Sequence, residues 1–495
     1  MEALASIGLG LGVALQPANL GYCLVGVFVG TLIGVLPGVG PVATLSLLLP
    51  VTFHLPPVGA IIMLAGIYYG AQYGGSTTAI LVNIPGEASS IVTCLDGYQM
   101  ARQGRAGPAL GIAALGSFIG GTLAVVGLAF LAGPLARVAL AFGPPEYFAL
   151  MCVGLVVLTF LSQGSMYKSL MMALLGLLLS FVGLDMFTAT PRFTLGVNEL
   201  TDGIGLVPLV MGLFGVAEIL ANLERPLRRD VHAAEIGAVL PGPRDWAAAK
   251  WPIARGTVLG FGLGLLPGGG AVIAAFAAYA VEKRLSKHPE RFGTGVIEGV
   301  AGPESANNAA AQASFIPLLS LGIPPNVVMA VLFGGLLIHG VQPGPLLVQQ
   351  HPQLFWGVVM SMVVGNVLLV VLNVPLIGIW VRLLRVPYDV LFPLILLFCV
   401  IGVYSLGESP LDVALMVLFG AVGYVVQKAG YEPAPLALAY VIGPILETAF
   451  RQSLVMSGGS FLIFVARPIA AASMLLMAVL LVMQIRVQAR ARARA

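Results

Sequence analysis

Residues 30–40 read GTLIGVLPGVG, and residues 260–270 read GFGLGLLPGGG. Gly30, Gly34, Leu36, Pro37, Gly38 and Gly40 recur 230 positions later as Gly260, Gly264, Leu266, Pro267, Gly268 and Gly270, so six of eleven positions match. Each stretch lies in an apolar run, and a Pro-Gly turn in the middle of such a run breaks a helix. Proline removes a backbone donor and clashes with the preceding turn, while glycine accepts conformations other residues avoid. In hydrocarbon an unpaired backbone amide is costly, so broken helix at membrane depth survives only against protein or a water-filled cavity. The pair predicts two re-entrant hairpins, with tips at 37–40 and 267–270, around a polar interior.

The rest of the composition agrees with a membrane location. Of 495 residues 58% are hydrophobic and 9% charged, where soluble domains carry about 25% charged residues. A soluble globule with so few polar side chains would expose contiguous apolar patches, so a water-soluble enzyme is excluded. Runs such as 110–131, 147–161 and 468–485 approach or exceed the roughly 18–25 residues that cross a bilayer. The expected fold is an all-α polytopic integral membrane protein with roughly 11–12 transmembrane segments. Net charge is +3, which gives no nucleic-acid footprint, and the four cysteines lie far apart in apolar stretches, implying neither disulfides nor a thiolate metal site. Residues 1–101 contain no Lys or Arg, so the basic start of a cleavable signal peptide is absent and the hydrophobic segments are expected to act as their own insertion signals.

A hydrophilic stretch at 223–252 divides the chain into a first membrane repeat (1–222) and a second (253–450), followed by a C-terminal transmembrane helix with a basic tail (451–495). The order of matches continues past the hairpins: Asn83-Ile84-Pro85-Gly86 parallels Gly322-Ile323-Pro324-Pro325 at an offset of 239, and Gly121 parallels Gly365. Orientation follows from the bias of short cytoplasmic loops towards Lys and Arg. With the linker inside, Arg102, Arg105, Lys168, Arg382, Lys428 and the tail also fall inside; Arg137, Arg192 and Arg451 are the exceptions. The run 256–281 is flanked by basic residues on both sides, Lys250 and Arg255 before and Lys283, Arg284, Lys287 and Arg291 after, so both its ends are expected to be cytoplasmic. The first hairpin then enters from the opposite face, and the halves are inverted copies.

Interrupted apolar segments at matching positions of inverted halves point to a secondary transporter with its site at the repeat interface. Two polar clusters accompany the tips: 68–78 with Asn83 and Glu87 to Ser90, and Gly302 to Asn308 with Gln312 and Ser314. Half-helix N-termini attract anions and the opposite ends expose carbonyls suited to Na+. The candidate substrate-binding residues are Gly38, Gly40, Ser76, Thr77, Thr78, Asn83, Gly268, Gly270, Asn307 and Asn308. The candidate cation-binding residues are Pro37, Gln72, Pro267, Glu304 and Gln312, with Glu304 suited to coordination or protonation. No Lys or Arg occurs in 1–101 or 292–381, so an anion there is expected to be neutralised by dipoles, amides and co-bound cations. The alternative for each hydroxyl or amide is a bond to its own or a neighbouring helix, and for each glycine close helix packing. Asp96 and Glu298 suit a water interface, and His54 and His339 are lone histidines near helix ends.

No Gly-Lys dipeptide, His-Glu-x-x-His or Gly-x-Ser-x-Gly occurs, which excludes a P-loop and those two hydrolytic signatures. An anion channel built from the same broken helices and an intramembrane enzyme remain as rivals.

The stretches GTLIGVLPGVGPVATLSLLLP (30–50), AGIYYGAQYGGSTTAILVNIPGEASS (65–90), LDGYQMARQGRAGPAL (95–110) and PESANNAAAQASFIPLLSLGIP (303–324) together resemble the large membrane subunit of the tripartite tricarboxylate transporters, the TctA family. The likeness runs from residue 1 to about 483. It implies a bacterial inner-membrane permease working with a small four-helix TctB-like membrane subunit and a periplasmic TctC-like solute-binding protein, while the basic tail places the C-terminus on the cytoplasmic side. The implied cargo is a carboxylate, citrate among the class. The implied driving force is a cation gradient, usually Na+ with H+ as the alternative, and no other cofactor or metal is implied. Pro325 departs from the pattern, which has Gly after Gly322-Ile323-Pro324.

Overall fold

The polar run 68–78 lies inside one helix, Pro57–Val82, in which every residue from Gly59 to Val82 is buried. A helix carrying Gln72, Ser76, Thr77 and Thr78 could not face lipid without exposing those groups, and here neighbouring helices surround it. The second cluster behaves alike: Glu298–Ala313 is buried from Gly299 onward. The computed structural model describes residues 2–36, 40–139, 141–161, 165–224, 237–266, 270–384 and 388–492. Four of the candidate site residues named from the sequence, Pro37, Gly38, Pro267 and Gly268, lie outside the described residues.

Each polar helix is paired with an interrupted one. Helix Pro17–Val35 ends at extended Leu36 and the chain resumes as Gly40–Thr52, with Gly40 at φ +63°. Helix Pro243–Gly264 is followed by Gly270–Leu285, with Gly270 at φ +48°. Gly26, Gly30 and Gly34 face the backbone oxygens of Met63, Ile67 and Ala71 so closely that a Cβ would strike them. Gly256, Gly260 and Gly264 meet the backbone oxygens of Gly302, Ala306 and Ala310 in the same way. These small residues every fourth position let two helix backbones touch. Partner numbers rise together on both helices, so each pair runs parallel. Arg255 and Glu282 join the helices on either side of the second interruption through a two-pronged ion pair (2.8 and 2.5 Å).

Both polar helices end at a left-handed residue, Asn83 (φ 59°) and Gly322 (φ 70°). Non-helical backbone follows each, then Ile91–Arg102 in one case and Val327–Ile338 in the other, the latter capped by Asn326 accepting from Met329 N (3.0 Å). Gly86 packs on the Gly34 carbonyl with no room for a side chain. The long helices Ala106–Ala139 and Pro352–Asn373 close over this centre.

Among the described residues five helices are long and apolar enough to cross a bilayer, and seven shorter apolar helices have 10–17 residues. The sequence suggests more full spans. Three of those seven belong to helices that run to 18, 20 and 25 residues, Pro144–Leu161, Tyr388–Gly407 and Pro468–Arg492, and Pro57–Val82, 26 residues long, carries its polar cluster inside. With large apolar side chains such as Phe130 (65% exposed) and Val425 (60%) facing outward, this is an all-α, multi-pass membrane protein. The boundary drawn at residue 450 falls inside the Ala434–Met456 helix, which continues unbroken across it.

The described strands form one two-residue hairpin, Gly183–Leu184 with Pro191–Arg192. It positions a four-charge network: Arg192 donates to both Glu447 oxygens (2.8 and 3.1 Å), and Arg451 pairs with Asp185 (2.8 Å) and Glu447 (2.9 Å). Arg451, donating to its carboxylate, holds Asp185 well below the usual carboxylate range. Nearby, Arg467 pairs with Glu146 (3.0 Å), and Phe148 packs on Phe450 and Phe464 between the two charge clusters. Two of the three arginines that break the charge bias are therefore neutralised by acids.

Candidate functional site

Glu304 is fully buried on the second polar helix, and both its carboxylate oxygens are occupied. Thr93 donates to Oε1; Ser76 (2.6 Å) and Asn307 (3.4 Å) donate to Oε2. Ser117, from the Ala106–Ala139 helix, lies 3.2 Å from the Glu304 carbonyl and 3.5 Å from Oε2. Asn308 donates to Ser117 Oγ (2.7 Å) and to Asn307 Oδ1 (2.6 Å). Four segments distant in sequence thus converge on one acid. Among the described residues no Lys, Arg or His pairs with it. A carboxylate in such surroundings needs a cation or a proton to compensate its charge.

Beside this network a small cavity is lined by Tyr73, Ser76, Thr77, Ser117 and Asn373, the rest of its wall being aliphatic. Tyr73 OH and Asn373 Oδ1 are buried without a hydrogen-bond partner. A second network lies one turn away. Gln72 accepts from Ser89 Oγ (2.7 Å), which also donates to Glu87. Tyr68 bonds to Asn326, whose amide reaches Ser314 (3.3 Å) and whose side chain lies beside Gly270.

At each interruption a hydroxyl closes the end of the first helix. Thr78 Oγ1 has its one proton to give among the Val35, Gly34 and Gly74 carbonyls (3.0, 3.3 and 3.3 Å), and Ser314 Oγ between Ala310 and Gly264 (2.7 and 3.3 Å). Such bonds satisfy carbonyls that a broken helix leaves without partners.

The structure therefore brings together Ser76, Asn307, Asn308 and Glu304, with Thr77 on the cavity wall and bonded weakly to Tyr73 O (3.4 Å). It assigns other work to several candidates. Thr78 ties helix ends together, and Asn83 is an exposed left-handed helix terminus. Gln312 forms a reciprocal amide pair with Asn366 (2.7 and 3.2 Å), away from Glu304's oxygens. Gly40 and Gly270 are half-buried at the interruptions. Asp96, expected at a water interface, is fully buried and accepts from Gly293 N (3.0 Å), Gly295 N (2.8 Å), Val296 N (2.9 Å) and Tyr279 OH (2.9 Å), fastening the loop that leads into Glu298–Ala313. Thr93, Ser117 and Asn373 do not stand out in the sequence as site residues, and Tyr73, though inside the polar run 68–78, is not among the candidates named from it.

Similarity to known proteins joins this geometry to a family. The model of the tripartite tricarboxylate transporter TctA family matches residues 20–438. The chain belongs to the TctA family. It is 54% identical over 471 residues (95% of this chain, 94% of the relative) to an uncharacterized 52.8 kDa protein in the TAR-I ttuC' 3'region of Agrobacterium vitis. It is also 56% identical over 209 residues (42% of this chain, 86% of the relative) to an uncharacterized protein in the TAR-II ttuC' 3'region of the same organism. No solved structure matches. As a TctA-family member the chain is a tricarboxylate transporter component that works with partner subunits.

Proposed function

We propose that this chain is the permease subunit of a cation-coupled secondary transporter in a bacterial inner membrane. It imports a tricarboxylate or related organic acid, driven by Na+, handed over by a periplasmic binding protein and assisted by a small four-helix membrane subunit. The observation that carries this reading is the doubled arrangement of an interrupted helix lying parallel and backbone-close to a buried polar helix. The contacts pair 26, 30 and 34 with 63, 67 and 71, and again 256, 260 and 264 with 302, 306 and 310, so the offsets stay at 230 and 239. Constant offsets support duplication, and the interruptions read as re-entrant hairpins entering from opposite faces, with the C-terminus cytoplasmic. Broken backbone near the repeat interface offers dipoles for an anion, and the Glu304 network offers charge for its co-ion.

Proteoliposomes holding this chain and its small partner, with binding protein outside, test the reading. Labelled citrate, or the acid that the binding protein retains, accumulates above its external concentration under an inward Na+ gradient, and Glu304→Gln abolishes accumulation. Equilibration without accumulation would mean a channel.

A further inference from the structure

The polar residues that line the cavity beside Glu304 are Tyr73, Ser76, Thr77, Ser117 and Asn373, four hydroxyls and one amide. Tyr73 OH and Asn373 Oδ1, on residues 2% and 3% exposed, have no hydrogen-bond partner. The Asn373 amide nitrogen is committed to the Leu369 carbonyl (3.0 Å), which leaves its oxygen for the cavity. Ser76 is placed to donate to Glu304 Oε2 (2.6 Å) or to Gln72 O (2.9 Å), and Ser117, which accepts from Asn308 (2.7 Å), donates to Glu304; each hydroxyl keeps a lone pair that none of these bonds uses. Glu304 does not line the cavity itself. When ionised, its carboxylate stands one hydroxyl layer behind the wall and polarises those hydroxyls as acceptors. The carboxyl of Glu304 behind the wall, with no Lys, Arg or His paired to it among the described residues, disfavours an anion here. The space admits about one water-sized body, too little for a hydrated ion or an organic acid.

Resting on the transporter reading above, we infer that this cavity is a site for a small dehydrated monovalent cation of the Na+ class, held by Tyr73, Ser76, Ser117 and Asn373 and neutralised by Glu304. The carboxylate substrate binds elsewhere, and Ser76 belongs with the cation rather than with the substrate.

Thermal unfolding of the full-length chain in detergent, without any carboxylate, measures this separately from transport. NaCl is titrated against choline chloride at constant ionic strength, with KCl as the comparison. Wild type gains thermal stability saturably with Na+ and not with K+, as specific binding to the folded state requires. Tyr73→Phe removes an oxygen that bonds nothing else and keeps the ring, so it folds; it raises the half-saturating Na+ concentration by about tenfold or more. Ser117→Ala acts in the same direction, and Gly262→Ala, which has open space at its Cβ, leaves the titration unchanged. Equal responses to Na+ and K+, no response in wild type, or a wild-type titration in Tyr73→Phe would overturn the assignment. Any of these would leave ion-driven uptake intact with its cation site elsewhere, whereas failed uptake with a normal titration would reject the transporter reading alone.

Discussion

Two buried acids, Glu304 and Asp96, look alike in the sequence and do different work. Asp96 satisfies three backbone N–H groups and a tyrosine hydroxyl, all at least 183 positions away. Asp96→Ala strands those donors and lowers stability by about 3 kcal/mol, while Tyr279→Phe costs about 1 kcal/mol; detergent melting curves check both. Asp185 gives a pH-dependent prediction. Its folded pKa lies below the unfolded value of about 3.9. Its contribution is therefore present above that value and is lost as pH falls through the folded pKa. The melting difference between wild type and Asp185→Asn is accordingly clear at pH 7 and shrinks below about pH 4; a constant difference would reject the ionic role. The cluster of Glu304, Asn307 and Asn308 is legible in the sequence because polar residues crowd together in an apolar chain. Thr93, Ser117 and Asn373 are not, because each is a single polar group whose meaning comes from a partner on another helix. Asp96 reads as an interface residue for the same reason, since the loop that buries it lies far along the chain.

Among the helices, spacing decides what can pack. Gly260 presses on the Ala306 backbone while Gly262, two residues away on the same helix, has nothing within 4 Å of the place a Cβ would take. Gly260→Leu and Gly30→Leu must separate parallel backbones, at about 1–3 kcal/mol or more each, whereas Gly262→Leu keeps wild-type yield and melting. A monodisperse, normally melting Gly260→Leu protein would contradict the close parallel pairing. The sequence displays these glycines as repeats. It cannot say that they serve packing as well as interruption, since the same residue type answers both demands, and of the facing partners only Ala71 and Ala310 are identical, while Met63 and Gly302, and Ile67 and Ala306, differ. The hydroxyls that cap the breaks, Thr78 and Ser314, occupy different turns of their helices, so simple alignment does not match them.

At the level of the molecule, charge separates two kinds of arginine. Arg192, Arg451 and Arg467 are tied to Asp185, Glu447 and Glu146 on one side of the bundle, so their positive charge does not oppose an orientation set by the linker and the basic tail. The all-α membrane class follows from composition alone. The number of full spans does not, because buried polar helices and shortened segments escape a hydropathy reading. The doubling of the fold is tested most directly by single cysteines at Gln16, His54, Lys250 and Arg291, all exposed, in a chain whose native cysteines are replaced. In sealed vesicles a membrane-impermeant maleimide is expected to label Gln16→Cys and His54→Cys from one side, and Lys250→Cys and Arg291→Cys from the other. Labelling the two members of either pair from opposite sides, or all four from the same side, would contradict two chain reversals entering the membrane from opposite faces.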